Sequence, residues 1–144
     1  MRPKKTIKSL FPLIASGLII FLFLYASLSK LFDFKTFVGE INNQPLPNSW
    51  TPFLSVAIPG CELLICGLLL FDRSRLLGLW ISLVFMSLFA GYAAAILLHG
   101  FSYIPCSCGG VIEKLTWPQH LILNLFYVLL SVIAIRVEKA RTAT

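Results

Sequence analysis

An all-α integral membrane protein, a bundle of four transmembrane helices, is the fold class this sequence predicts. Three observations predict it. Apolar residues make up 58% of the 144-residue chain and charged residues only 12%, too few polar groups to cover a soluble globule of that size. The apolar residues gather into four runs, each near the length of about 20 residues needed to cross a hydrocarbon core of about 30 Å. The charges sit almost wholly at the ends of those runs. A spanning β-barrel would instead show alternating segments of about ten residues, and none is present.

The four spans read as Ile7–Phe32, Trp50–Phe71, Leu76–Leu98 and Pro118–Ile135. They leave no room for a soluble domain, so residues 1–144 form one domain. The first run follows Arg2, Lys4, Lys5 and Lys8, as a signal peptide would. It is longer than a signal h-region and lacks a small-x-small cleavage site before Lys30, so it reads as a retained helix. Phe34, Phe37, Val38 and Ile41 then recur at helical spacing, which predicts a short helix lying in the membrane interface. Pro45 and Pro47 forbid regular helix, Asn48 or Ser49 is placed to cap the second span, and Trp50 is an interfacial anchor.

Span two holds Pro59-Gly60-Cys61-Glu62 and Cys66. Pro59 favours a local kink and Gly60 a close helix approach. Span three carries Ser82, Ser87, Ala90, Gly91 and Ala93–Ala95, small residues that permit tight packing. Span four opens on Thr116-Trp117-Pro118-Gln119, in which Thr116 caps, Pro118 occupies the first turn and Gln119 completes a capping box.

The net charge of +6 does not indicate nucleic-acid binding, because of where it lies. Arg2, Lys4, Lys5, Lys8, Arg73, Arg75, Arg136, Lys139 and Arg141 all fall on one side if the spans alternate. Lys30, Lys35 and Lys114 on the other side are offset by Asp33, Glu40 and Glu113. This positive-inside asymmetry predicts that both termini are cytoplasmic and that the 99–117 segment lies on the opposite, periplasm-like side.

Two features point to chemistry. Cys106 and Cys108 flank one serine between Pro105 and Gly109-Gly110, on the side where disulfides persist. A pair so close would close a small, strained ring of the exchanging kind. A static disulfide and a metal site completed by His120 or His99 are the alternatives. The metal reading is weak, since structural zinc takes four ligands and favours Cys-x-x-Cys, and no metal centre is expected. The second feature is Glu62, about 12 residues past Trp50 and so roughly 18 Å along the helix axis. An acid at that depth faces the bundle interior or a wet cavity, usually with a partner. Lys30, Asn124, His120 and Tyr25 are the candidate partners, and His120 and Asn124 share one face of span four. Cys61 and Cys66 cannot bridge each other on a helix and read as small apolar core residues, with Cys61 a candidate relay to the outer pair.

The order Ser29-Lys30-Leu31-Phe32-Asp33, Pro59-x-x-Glu62-Leu63 with Gly67, Cys106-x-Cys108-Gly109 and Asn124 resembles the methylamine-utilisation MauE family, within the DoxX-like, redox-associated four-helix membrane proteins. The family often has Cys-Gly-Cys-Phe-Gly where this chain has Cys106-Ser107-Cys108-Gly109-Gly110, and an Arg where it has Leu123. The resemblance implies disulfide formation in, or processing of, the small subunit of methylamine dehydrogenase, and a periplasmic thioredoxin-like partner. Cys106 and Cys108 would be the redox pair, supported by Glu62, His120 and Asn124. Four-helix quinone-linked thiol oxidases share the architecture but commonly carry two outer Cys pairs, so a quinone is a candidate acceptor and no more. The alternative is a non-catalytic assembly partner whose static Cys106–Cys108 disulfide shapes a docking loop.

Overall fold

The structure, a computed structural model, describes residues 3–43, 47–98 and 117–142. Five α-helices make it up: α1 (Pro3–Phe32), α2 (Phe34–Asn42), α3 (Thr51–Leu70), α4 (Arg75–Leu97) and α5 (Trp117–Thr142), with a 3₁₀ turn at Asn48–Trp50. Four of these are long and apolar enough to cross a membrane, over Leu10–Phe32, Asn48–Leu70, Arg75–Leu97 and Pro118–Thr142. The described residues contain no strand.

The bundle is assembled from two helix pairs. α1 packs chiefly on α3 and α4 chiefly on α5, while the contacts between pairs are less extensive. The common core is built from Ile19 and Phe23 of α1, Ile65 and Leu69 of α3, Leu79 and Met86 of α4, and Tyr127 and Ala134 of α5. Lipid tails are as apolar as these side chains, so close van der Waals packing, rather than removal from water, holds such a core together. Among the buried residues of the small-residue helix α4 are Ser82, Ala90 and Ala93, whereas Ser87 and Gly91 face outward.

Local sequence explains the joints. Asp33 leaves the helical region (φ −128°, ψ 62°), ending α1 and turning the chain into α2. α2 buries Phe37 and Ile41, four residues apart on one face, against the bundle. Thr51 Oγ1 donates to Asn42 Oδ1 at 2.6 Å and ties the end of α2 to the start of α3. Between α3 and α4, Ser74 Oγ donates to the Leu68 carbonyl at 2.7 Å, satisfying an acceptor that the helix end leaves open. The close approach in this hairpin is at Gly78, where an added Cβ would lie 3.0 Å from Leu69 Cδ2 and 3.1 Å from Leu68 Cβ.

Several expectations are corrected. Gly60 makes no close helix approach: nothing lies within 4 Å of a Cβ placed there. Neither Asn48 nor Ser49 caps α3; both belong to the 3₁₀ turn, and Trp50 holds the cap position without a side-chain bond. α5 runs on to Thr142 rather than stopping at Ile135, because Arg136–Arg141 contains good helix formers and an i,i+3 Glu138–Arg141 pair. Thr116, the expected cap of α5, lies outside the described residues.

Candidate functional site

A helical Cα–Cβ bond tilts toward the N-terminus of its own helix. α1 and α3 run in opposite directions, so Lys30 leans back into the bundle while Glu62 leans toward the opposite end. The two meet. Lys30 Nζ donates to Glu62 Oε1 at 3.0 Å and Oε2 at 3.4 Å, and to the Ala26 carbonyl at 3.4 Å. Both residues are almost wholly enclosed, Lys30 with 7% and Glu62 with 3% of its surface exposed. The ammonium also stands 5.8 Å from the centre of the buried Phe37 ring, so α2 covers the pair from one side. Among the four candidate partners for Glu62, Lys30 pairs with it directly. Tyr25 is 45% exposed on the outer surface of α1 and takes no part.

His120 and Asn124 do come to this place. They line a cavity of about 90 Å³ together with Lys30 and Glu62, walled by Phe37 of α2 and Phe85 and Phe89 of α4. The cavity therefore touches all five helices and lies where the two helix pairs face each other. At about 30 Å³ per molecule it has room for roughly three waters, and it offers them several polar partners.

The remaining sequence candidates separate. Cys66, one turn from Glu62, is a core residue whose thiol donates to the Ile20 carbonyl at 3.6 Å. Cys61 is exposed on the outside of α3, which corrects its reading as a core residue; its reading as a relay turns on the outer pair, which lies outside the described residues. Cys106, Cys108 and His99 lie outside the described residues. Among the described residues no three His, Cys, Asp or Glu side chains gather into a metal-holding group.

A second charged cluster was missed. At the end of the bundle that carries the termini, Glu138 is fully buried and takes a two-pronged contact from Arg141, Nη2 to Oε1 at 2.7 Å and Nε to Oε2 at 3.1 Å. Arg75 approaches the same carboxylate at 3.9 Å and pairs with Asp72 at 2.5 Å. This ties the first turn of α4 to the last turns of α5. Nothing in the sequence separates Glu138 from a solvated tail except its i,i+3 spacing to Arg141.

The chain as a whole matches a known family model. That model is described as methylamine utilisation protein MauE, and it matches residues 8–137. The chain belongs to the MauE family. The match takes in the first three spans, the fourth as far as Val137, the Lys30–Glu62 pair and the Cys106–Cys108 motif. MauE membership suggests a role in methylamine utilisation, and with the four apolar helices it makes this a multi-pass membrane protein. No curated protein and no solved structure matches the chain.

Proposed function

We propose that this MauE protein is a thiol–disulfide exchange component of the bacterial inner membrane that matures a periplasmic partner used in methylamine metabolism. The partner is a thioredoxin-like protein or a cysteine-rich dehydrogenase subunit. Cys106 and Cys108 are the exchanging pair. A thiolate of the partner attacks one sulfur of the Cys106–Cys108 disulfide and releases the other as a thiolate. A second partner thiolate then resolves the mixed disulfide, leaving the partner oxidised and Cys106 and Cys108 reduced. Two electrons pass to the pair, and the protons lost by the partner's thiols are taken up by its thiolates.

The observation that supports this reading is the gathering of Lys30, Glu62, His120 and Asn124 around one cavity. A static helix tie needs only a closed ion pair. Here the pair borders a space large enough for water, and one wall is formed by α5, which begins nine residues after Cys108. Only the thiolate reacts, so a proton acceptor within reach of the pair would assist exchange.

Trapping tests the proposal. In cells, Cys106→Ala or Cys108→Ala leaves a lone thiolate that attacks the oxidised partner's disulfide in the reverse of this exchange; with no second sulfur on this chain to release the partner, the mixed disulfide with a periplasmic protein should accumulate. No adduct from either variant, together with normal partner maturation in the double variant, would instead establish the static-disulfide docking role.

A further inference from the structure

The cations at the end of the bundle that carries both termini do not all have the same fate. Arg75 and Arg141 are committed to Asp72 and Glu138. Arg136 and Lys139 are exposed, and no carboxylate among the described residues forms an ion pair with them. They are one turn apart on α5, so they are surface neighbours. Lys139 is not loose: its ammonium sits 5.1 Å from the centre of the Trp80 ring, which reaches across from α4. Trp80 is 42% exposed and continues the outward stripe Leu77, Trp80, Val84 and Leu88 of α4. On α5 the outward residues above Arg136 are Ile133, Leu129 and Phe126. Two apolar stripes thus converge on two neighbouring cations and an indole, at the end of the apolar surface that carries the termini.

We propose that Trp80, Arg136 and Lys139 form a binding site for the headgroup of an anionic phospholipid in the leaflet facing the two termini. The phosphate lies against Lys139 and Arg136, and the acyl chains run along the apolar stripes of α4 and α5. Trp80 holds Lys139 in place through its ring face and supplies the flat amphipathic surface suited to headgroup depth. The ion pairs of Glu138 keep Arg75 and Arg141 out of this site and hold α4 and α5 at the spacing that places Trp80 under Lys139.

The test uses the full-length chain in bilayer nanodiscs of phosphatidylcholine with a minor fraction of phosphatidylglycerol, released for native mass spectrometry. The wild-type chain should retain phosphatidylglycerol in excess of its share of the bilayer. Lys139→Gln and Arg136→Gln should each lower that retention about fivefold, the effect of one basic residue near a charged membrane surface. Lys139→Arg should keep it. Lys35→Gln, an exposed cation at the opposite end, should leave it unchanged. The deciding variant is Trp80→Leu, which alters no charge: a loss of about twofold or more marks a built site. Equal retention by Trp80→Leu and wild type would reduce the effect to diffuse surface charge and overturn the proposal. Displacement of the lipid by millimolar inorganic phosphate would overturn it too, by showing a site for free phosphate. Unfolding temperatures in pure phosphatidylcholine, equal across the variants, exclude misfolding as the cause.

Discussion

The bundle has two buried carboxylates, Glu62 midway along α3 and Glu138 at the end that carries the termini, and the two are built differently. Glu62 has one cation partner, Lys30, and the pair borders a cavity shared with His120 and Asn124. Glu138 has two guanidinium neighbours, one of them forked onto both oxygens, and is fully enclosed. Each ties one helix pair: Lys30–Glu62 joins α1 to α3, and Arg75–Glu138 joins α4 to α5. A planar guanidinium matches a carboxylate in two places and is suited to a fixed clamp, whereas an ammonium on a flexible stem is a point charge that can exchange partners. The division proposed on this contrast gives holding to the Glu138 cluster and the support of exchange to the Glu62 cluster.

The largest effect that tests this difference is on stability. Removing one member of a buried pair strands the other, a loss of about 3–5 kcal/mol. Lys30→Ala or Glu62→Ala should therefore destabilise the protein strongly in denaturant unfolding from detergent micelles. The double variant Lys30→Met/Glu62→Leu should recover most of that loss, since apolar replacement of a whole buried pair is often neutral. It should still fail to support partner maturation. Recovery of both stability and function would reduce the Lys30–Glu62 pair to a second clamp.

A smaller loss is expected at the Glu138 cluster. Glu138→Ala frees Arg141, which is already partly exposed and can turn to water, and leaves Arg75 with Asp72. The cost should be about 2 kcal/mol by the same unfolding measurement, below the range for a fully buried pair. Maturation per folded molecule should be unchanged, and a drop in it would blur the division between the two clusters. Gly78→Ala probes packing near that cluster. Its new Cβ would meet Leu69 and Leu68, and crowding of this kind costs about 1–3 kcal/mol.

The smallest effect concerns the cover over the cavity. Thr51→Val removes the hydrogen bond to Asn42, worth about 1 kcal/mol. Amide exchange should speed up in α2 alone, with the four long helices unaffected. Uniform acceleration would show that α2 is part of the core and not a separate cover.

What the sequence disclosed follows from context. Glu62 stands out because an acid inside an apolar run has no bland surroundings to hide in, and the same contrast marked the four spans and the amphipathic α2. Glu138 stayed hidden because it sits in a charged tail that reads as solvated, and only tertiary packing against α4 buries it. Lys30 could be named as one partner among four but not chosen, since the choice rests on the opposed tilt of two side chains from antiparallel helices. Gly60 looked like a contact point and Gly78 did not, although the reverse holds. A glycine's role depends on which face the neighbouring helix covers, and a single helix does not record that.

The central claim is that the Lys30–Glu62 site serves exchange at Cys106 and Cys108. Its most direct test is the yield of the Cys108→Ala mixed disulfide in cells, compared with and without Lys30→Met/Glu62→Leu, at matched levels of folded protein. Cys106→Ala is run in parallel, so that whichever sulfur attacks is caught. An adduct that forms in the single-cysteine variant and falls at least tenfold when the ion pair is replaced is the expected result. An equal yield with and without the ion pair would contradict the account.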